Sequence, residues 1–182
     1  LSDDVELFMA LADDDATRDQ RGLTHLHAAA FAGSIHIIRQ LISDGADVND
    51  AENRHGWTPL AYIVYVNMID VPSRLEVARL LLRCGADPNV LAAGVSGKSV
   101  LHYAVAQGDD ELCRLLLEHG ADPNAQDASG RTVLHVAISR SLRMVHLILE
   151  FSPHLHLKTH AGETAMDQAS RLGKKSIVRL LE

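Results

Sequence analysis

Thirty-three residues separate Gly97 from Gly130, and the segment between them is a pattern that the rest of the chain repeats. Gly97-Lys98-Ser99-Val100-Leu101-His102-Tyr103-Ala104 opens it and Gly108 interrupts it. Leu112, Leu115, Leu116 and Leu117 follow, then Gly120-Ala121-Asp122-Pro123-Asn124. A serine hydroxyl ahead of an apolar run accepts hydrogen bonds from the open amides of a first helical turn, and a glycine ends a helix at low steric cost. Leucines three and four apart fall on one helical face. Pro123 lacks a donor and Asn124 tolerates turn geometry, so the chain turns away there. Each period therefore predicts two short helices and a turn. Such a unit is too small to bury its own apolar face, so neighbours must stack on it.

Four further copies surround this one. Gly22-Leu23-Thr24-His25-Leu26-His27 leads to Gly45-Ala46-Asp47-Val48-Asn49, and Gly56-Trp57-Thr58-Pro59-Leu60 leads to Gly85-Ala86-Asp87-Pro88-Asn89. Gly130-Arg131-Thr132-Val133-Leu134-His135 and Gly162-Glu163-Thr164-Ala165-Met166-Asp167 open the last two. The departures are specific. Gly56 and Gly85 lie 29 residues apart where Gly97 and Gly120 lie 23 apart, so the second copy carries six extra residues, expected in the inter-helix loop within 66–74. The segment after Asn89 is also longer than that after Asn124. The fourth copy lacks a glycine and one residue around Ser139-Arg140-Ser141, and it has Ser152-Pro153 where Gly-Ala is usual, which predicts an altered turn. The last copy substitutes Gln168, Arg171, Lys174, Lys175 and Arg179 for apolar surface, as suits a terminal unit that faces water. Val5, Phe8, Met9 and Ala12 share one helical face, which predicts a capping helix at the N-terminus.

On these motifs the chain resembles ankyrin repeats, whose pattern is Gly-x-Thr-Pro-Leu-His-x-Ala-Ala, a glycine, then Leu-Leu-x-x-Gly-Ala-Asp-x-Asn. The resemblance runs from about Asp19 to Glu182. It implies an all-α, ankyrin-repeat solenoid of stacked helix-turn-helix units with projecting β-hairpin loops. The expected division is a capping helix at 1–18 and a repeat domain at 19–182, with repeats at about 19–51, 52–93, 94–126, 127–158 and 159–182. It also implies that His27, His102 and His135 hydrogen-bond one repeat to the next. A concave face would bind another protein or peptide through variable positions beside the repeat glycines and at the ends of the inner helices. As partner-binding residues these are Arg21, Leu23, Phe31, His55, Trp57, Tyr65, Lys98, Gln107, Arg131 and Arg140. Trp and Tyr bury large areas at small entropic cost and dominate binding hot spots, so contact is expected to centre on Trp57, with Tyr65, Phe31 and Arg21. Tyr62 and Tyr65 are equally readable as packing under the insertion. The resemblance further implies asparagine hydroxylation at Asn49, Asn89 or Asn124, each eight positions after a leucine.

Composition narrows the classes. The net charge of −7 is confined to the N-terminal half: residues 1–91 carry seven Lys and Arg against fourteen Asp and Glu, while 92–182 carry ten of each. That speaks against nucleic acid as a partner, which needs clustered cations. No segment approaches the roughly 20 apolar residues of a membrane span, and no secretory leader is recognisable, so no membrane association is expected. Cys84 and Cys113 form no metal or disulfide spacing, which suits a cytoplasmic or nuclear setting. A start at Leu1 suggests a segment of a longer polypeptide, monomeric in isolation.

Three constellations invite chemistry. Ala92 to Ser99 ends in Gly-Lys-Ser and satisfies a relaxed phosphate-loop pattern, so a nucleotide-binding enzyme is the competing reading, but the Gly-Ala-Asp-Pro-Asn turn ahead of it is not the strand such a loop needs. His154, His156 and His160 are metal-ligand types without a convincing third spacing, and no metal site or cofactor is expected. Neither cysteine neighbours a recognisable base, and Gly-x-Ser-x-Gly is absent, so no catalytic residue is assigned. The sequence reads as a non-catalytic scaffold or adaptor module, or as a domain that docks on its own parent chain.

Overall fold

The computed structural model describes residues 22–53, 55–66, 71–91 and 96–182. Their ten helices fall into two compact units, Leu1–Ala93 and Gly94–Glu182. The first unit holds α1 (His25–Phe31), α2 (Ile35–Ser43), α3 (Pro59–Val66) and α4 (Val71–Arg83). The second holds α5 (Val100–Gln107), α6 (Asp110–Glu118), α7 (Val133–Arg140), α8 (Leu142–Leu149), α9 (Ala165–Arg171) and α10 (Lys175–Leu181). Each odd-numbered helix pairs with the even-numbered helix after it. Within each unit the first helices of successive pairs pack side by side, α1 on α3, α5 on α7 and α7 on α9, and the second helices do the same. The expected capping helix at 1–18 and Arg21 lie outside the described residues.

The helix starts follow from the hydroxyl predicted to cap them. Thr24, Ser99 and Thr164 accept from the backbone amide three residues on, and the side chain at that third position, His27, His102 or Asp167, returns a bond to the cap amide. Two orphan donors are satisfied by one reciprocal pair. Leu26, Ile38, Leu60, Ile63 and Leu81 are fully buried in the first unit, as are Leu101, Leu112, Leu116, Leu134 and Met144 in the second. Each such side chain contributes about 1.5–3 kcal/mol of apolar transfer.

The second helices end on a left-handed residue. Gly45, Gly85 and Gly120 have φ of 94°, 92° and 87°. The amide after each closes back on the helix, as in Ala121 to the Leu116 carbonyl at 3.0 Å. In the fourth repeat Ser152 itself takes φ 50°. The turn is therefore kept, and what is lost is the closing bond, because Pro153 has no N–H to donate.

Two sequence irregularities resolve into simple adjustments. Ser141 is both the C-cap of α7 and the N-cap of α8, its hydroxyl accepting from the Met144 amide at 3.1 Å. It thus does the work that Gly108 and Asp109 share in the third repeat. The insertion of the second repeat was expected to lengthen a loop, and much of it instead extends a helix, since α4 has 13 residues where α2 and α6 have nine. Gln168 also departs from expectation. It faces the preceding repeat and not water, is 8% exposed, and donates through its amide nitrogen to the His135 carbonyl and the Ser139 hydroxyl at 2.9 and 3.3 Å.

Candidate functional site

Between successive helix pairs the chain makes a tight finger. In the last two fingers the expected β-hairpins take the form of single antiparallel bridges, at Gln126–Thr132 and Lys158–Thr164. Buried Asp127 organises one finger from inside. Its Oδ1 accepts from the amides of Ser129 and Arg131 at 2.8 and 3.0 Å, and its Oδ2 accepts from Nε and Nη2 of Arg131 at 3.1 and 2.9 Å. Burial alone raises a carboxyl pKa. Here the two amides and the guanidinium outweigh it and hold Asp127 below the ordinary carboxylate range. Glu52 occupies the same place in the second repeat, buried, with Oε1 accepting from the amides of His55 and Trp57.

Adjacent fingers of the second unit are joined through their backbones. The Ala128 amide donates to the Ser96 carbonyl and the His160 amide to the Ser129 carbonyl, both at 2.9 Å. The Gln126 side chain adds donations to the carbonyls of Gly130 and Lys158 at 2.6 and 2.9 Å. Below the fingers, the histidines expected to tie repeats together do so. His27 Nε2 meets the Trp57 carbonyl at 2.8 Å, His102 the Arg131 carbonyl at 2.9 Å, and His135 the Glu163 carbonyl at 3.3 Å. The amides of Thr24, Ser99 and Thr132 donate to the Nδ1 atoms, which places each ring proton on Nε2. Burial, more than any charge nearby, pushes the His102 and His135 pKa values down.

The residues singled out from sequence divide into two groups. Leu23 is 5% exposed and Trp57 8%, so both belong to the core as folded. The expectation that Trp57 stands out for contact is corrected: its ring is stacked on His55 at 4.4 Å and covered by Tyr65 at 4.0 Å, with Tyr62 at 6.2 Å. Tyr65, 45% exposed, is the accessible member of that cluster. Phe31 is half-buried with its edge on Tyr62 at 6.0 Å. His55, Lys98 and Gln107 are half-buried, whereas Arg131 and Arg140 are exposed. Lys98 lies over the Tyr103 ring at 5.5 Å. Pattern position alone did not reveal that a large side chain beside the repeat glycine can fold back under its neighbours.

In the second unit these elements enclose a groove of about 600 Å³ between the last two fingers and helices α7 and α9. Ser129, Arg131, His160, Glu163, Gln168 and Arg171 line it, with Leu172 at its edge. Arg171 clasps Glu163 through Nε and Nη2 at 2.8 and 3.1 Å. Arg131 is here as expected of a partner-binding position, whereas Gln168 and Arg171 join it unexpectedly, because in the sequence both read as solvent-facing.

The other constellations are occupied structurally. Within the Gly-Lys-Ser stretch 92–95 lie outside the described residues. The Ser99 hydroxyl is buried, bonded to the His102 amide and within 2.8 Å of its Nδ1, and a side chain on Gly97 would meet the Ala128 amide at 3.0 Å. The stretch is thus committed to repeat stacking. His154 and His156 stack at 5.5 Å, and no group of three metal-ligating side chains is found among the described residues. Cys84 is exposed and Cys113 buried, its thiol pushed far up by burial. The asparagines brace turns. Asn49 donates to the Gly85 carbonyl at 3.0 Å and accepts from the Asp87 amide at 2.8 Å, and Asn124 accepts from the His154 amide at 2.6 Å.

Comparison with known proteins agrees with this architecture. A family model described as ankyrin repeats in three copies matches residues 2–92, 70–159 and 101–182. Human inversin is 30% identical over 129 residues, 70% of this chain and 11% of that protein. The mouse B-cell lymphoma 3 protein homolog is 36% identical over 123 residues, 68% of this chain and 26% of that protein. Human ankyrin repeat and SOCS box protein 16 is 37% identical over 116 residues, 64% of this chain and 24% of that protein. The chain thus spans about a tenth to a quarter of the length of these relatives. The stacked helix pairs, the joined fingers and the family match place the chain in the ankyrin-repeat family, whose members generally serve as protein–protein interaction modules.

Proposed function

We propose that this chain is a non-catalytic recognition module of a scaffold or adaptor, and that it binds a protein or peptide through the faces that fingers and first helices build within each unit. One observation carries the reading: the backbone ladder from Ser96 through Ala128 and from Ser129 to His160 holds successive fingers in fixed register beside an open groove. A preorganised surface of that kind binds without paying for loop ordering. Tyr65 in the first unit, and Arg131 and Arg140 in the second, are the accessible large side chains among those expected to make contact, and such residues are typical anchors of interfaces. Ser99 is committed to a helix cap and His102 and His135 to inter-repeat bonds, which supports a structural role for these polar side chains. No described helix is long and apolar enough to cross a membrane, and both cysteines are free thiols, which fits a monomeric module of the cytoplasm or nucleus.

Photo-crosslinking tests the choice of face. A benzophenone amino acid at Ser129, in the fingers, is expected to yield discrete protein adducts in cell extract, whereas the same group at Arg114, on the second helices, yields none. Equal labelling from both positions, or labelling from Arg114 alone, overturns the assignment.

A further inference from the structure

The groove of the last two fingers is unbalanced in its chemistry. Asp127 lies beneath it with a 2% exposed side chain and both oxygens occupied, and both oxygens of Glu163 are taken by Arg171. The two arginines, by contrast, are only half used. Arg131 engages Asp127 through Nε and Nη2, and Arg171 engages Glu163 through the same two atoms, so each keeps its Nη1 donors while its orientation is fixed by the carboxylate behind it. Their side chains are 44% and 58% exposed. At the end of α7, beside groove-lining Ser139, Arg140 is exposed and has no hydrogen-bond partner among the described residues. The neutral acceptor in the groove comes from Gln168. Its amide nitrogen is held by the His135 carbonyl and the Ser139 hydroxyl, which leaves Oε1 for a ligand donor.

The second helices carry the opposite bias. In the shallow groove between α6 and α8, of about 230 Å³, Arg114 is paired with Glu150 and Arg143 with Asp110, and Glu111 adds a further negative charge. The finger side holds Arg131, Arg140 and Arg171 against Asp127 and Glu163, and the helix side holds Asp110, Glu111 and Glu150 against Arg114 and Arg143. The chain is acidic overall, so this cationic excess is a local feature of one face.

We propose that the groove receives an extended acidic segment of a partner protein, with a side-chain carboxylate bridging the free Nη1 groups of Arg131 and Arg171 and a main-chain amide donating to Gln168 Oε1. This rests on the proposed recognition function and names the chemistry of its partner. A guanidinium already oriented by an internal carboxylate loses little further entropy on binding a second one, and the second hydrogen bond is charge-assisted. An extended main chain supplies the donor that Gln168 lacks, and a carboxylate on it meets a surface whose accessible groups beside Gln168 Oε1 are mostly donors.

Selection of phage-displayed random peptides on the whole chain tests this, with binding of the selected peptides then measured by fluorescence anisotropy. Peptides enriched in Asp and Glu are expected. Their affinity should fall with added salt and should weaken about tenfold in Arg171→Gln, as loss of a charge-assisted bond requires. Arg114→Gln should leave it unchanged. Arg140→Gln, which disturbs no internal pair, gives a second reading should Arg171→Gln alter the far-ultraviolet circular dichroism. Peptides without acidic enrichment whose binding is abolished by Ser129→Trp, which fills the groove, would overturn the acidic partner and leave the recognition face standing. Peptides indifferent to Ser129→Trp, or none at all, would overturn both.

Discussion

His102 donates through Nε2 to the Arg131 carbonyl across 2.9 Å while its Nδ1 accepts the Ser99 amide, so one neutral imidazole caps its own helix and anchors the next finger. A second proton has no place on that ring, because Nδ1 already faces a donor. Burial lowers the pKa values of His102 and His135 in the folded chain relative to the free side chain. Below the unfolded value of about 6.5 the unfolded chain therefore binds more protons than the folded one, and stability falls as the pH drops. We expect the thermal midpoint to be level above pH 7 and to fall from about pH 6.5 downward. In a His102→Gln, His135→Gln double variant the midpoint should start lower and the fall should be shallower. A midpoint that rises on acidification through this window would contradict the neutral-histidine assignment.

Ser152 occupies the left-handed position that glycine holds at the ends of α2, α4 and α6, with φ of 50°. A side chain there costs about 1–2 kcal/mol relative to an unstrained backbone, part of which glycine returns in lost chain freedom. Ser152→Gly should therefore stabilise the protein by about 1 kcal/mol, read as a rise in the urea midpoint with an unchanged slope. A lower midpoint would mean that the hydroxyl holds the turn in some other way.

These two residues show what a repeat pattern exposes and what it hides. The histidine's role follows from its place in the stencil, and so does the left-handed turn, because both are backbone requirements that recur with the period. Burial at the flanking positions is different, since it depends on which side chains happen to meet. Trp57 sits beside the repeat glycine as Arg131 does, yet His55 and Tyr65 close over it while Arg131 stays open, held to Asp127. Gln168 reads as a water-facing substitution until the His135 carbonyl and Ser139 are seen against it. The insertion was countable from spacing, but its entry into α4 reflects helix continuation that spacing does not encode.

The aromatic cluster of the second repeat separates packing from contact. Trp57 is 8% exposed, so Trp57→Ala opens a large cavity and should cost about 3–5 kcal/mol. Tyr65 is 45% exposed, and Tyr65→Ala should cost well under half as much. Chemical denaturation of the two single variants checks this. Similar losses from both would show that Tyr65 is as much a part of the core as Trp57. If the costs differ as expected, Tyr65→Ala is the variant with which to probe binding in this repeat, because the fold survives it.

Gly120 and Gly130 share a positive φ, 87° and 75°, but differ in what surrounds them. A Cβ on Gly120 meets nothing within 4 Å, whereas one on Gly130 would stand 2.8 Å from the His160 amide nitrogen, the atom that joins the last two fingers. Gly120→Ala thus carries backbone strain alone, about 1–2 kcal/mol. Gly130→Ala adds overpacking, about 1–3 kcal/mol more, and pushes directly on the His160 to Ser129 bond. Unfolding midpoints of the two variants should differ accordingly. Amide hydrogen exchange at His160 should quicken in Gly130→Ala beyond what its loss of global stability explains, and in Gly120→Ala it should track global stability. Unchanged relative protection at His160 in Gly130→Ala would mean that finger register does not depend on that close approach. The groove would then owe its shape to the helices beneath it.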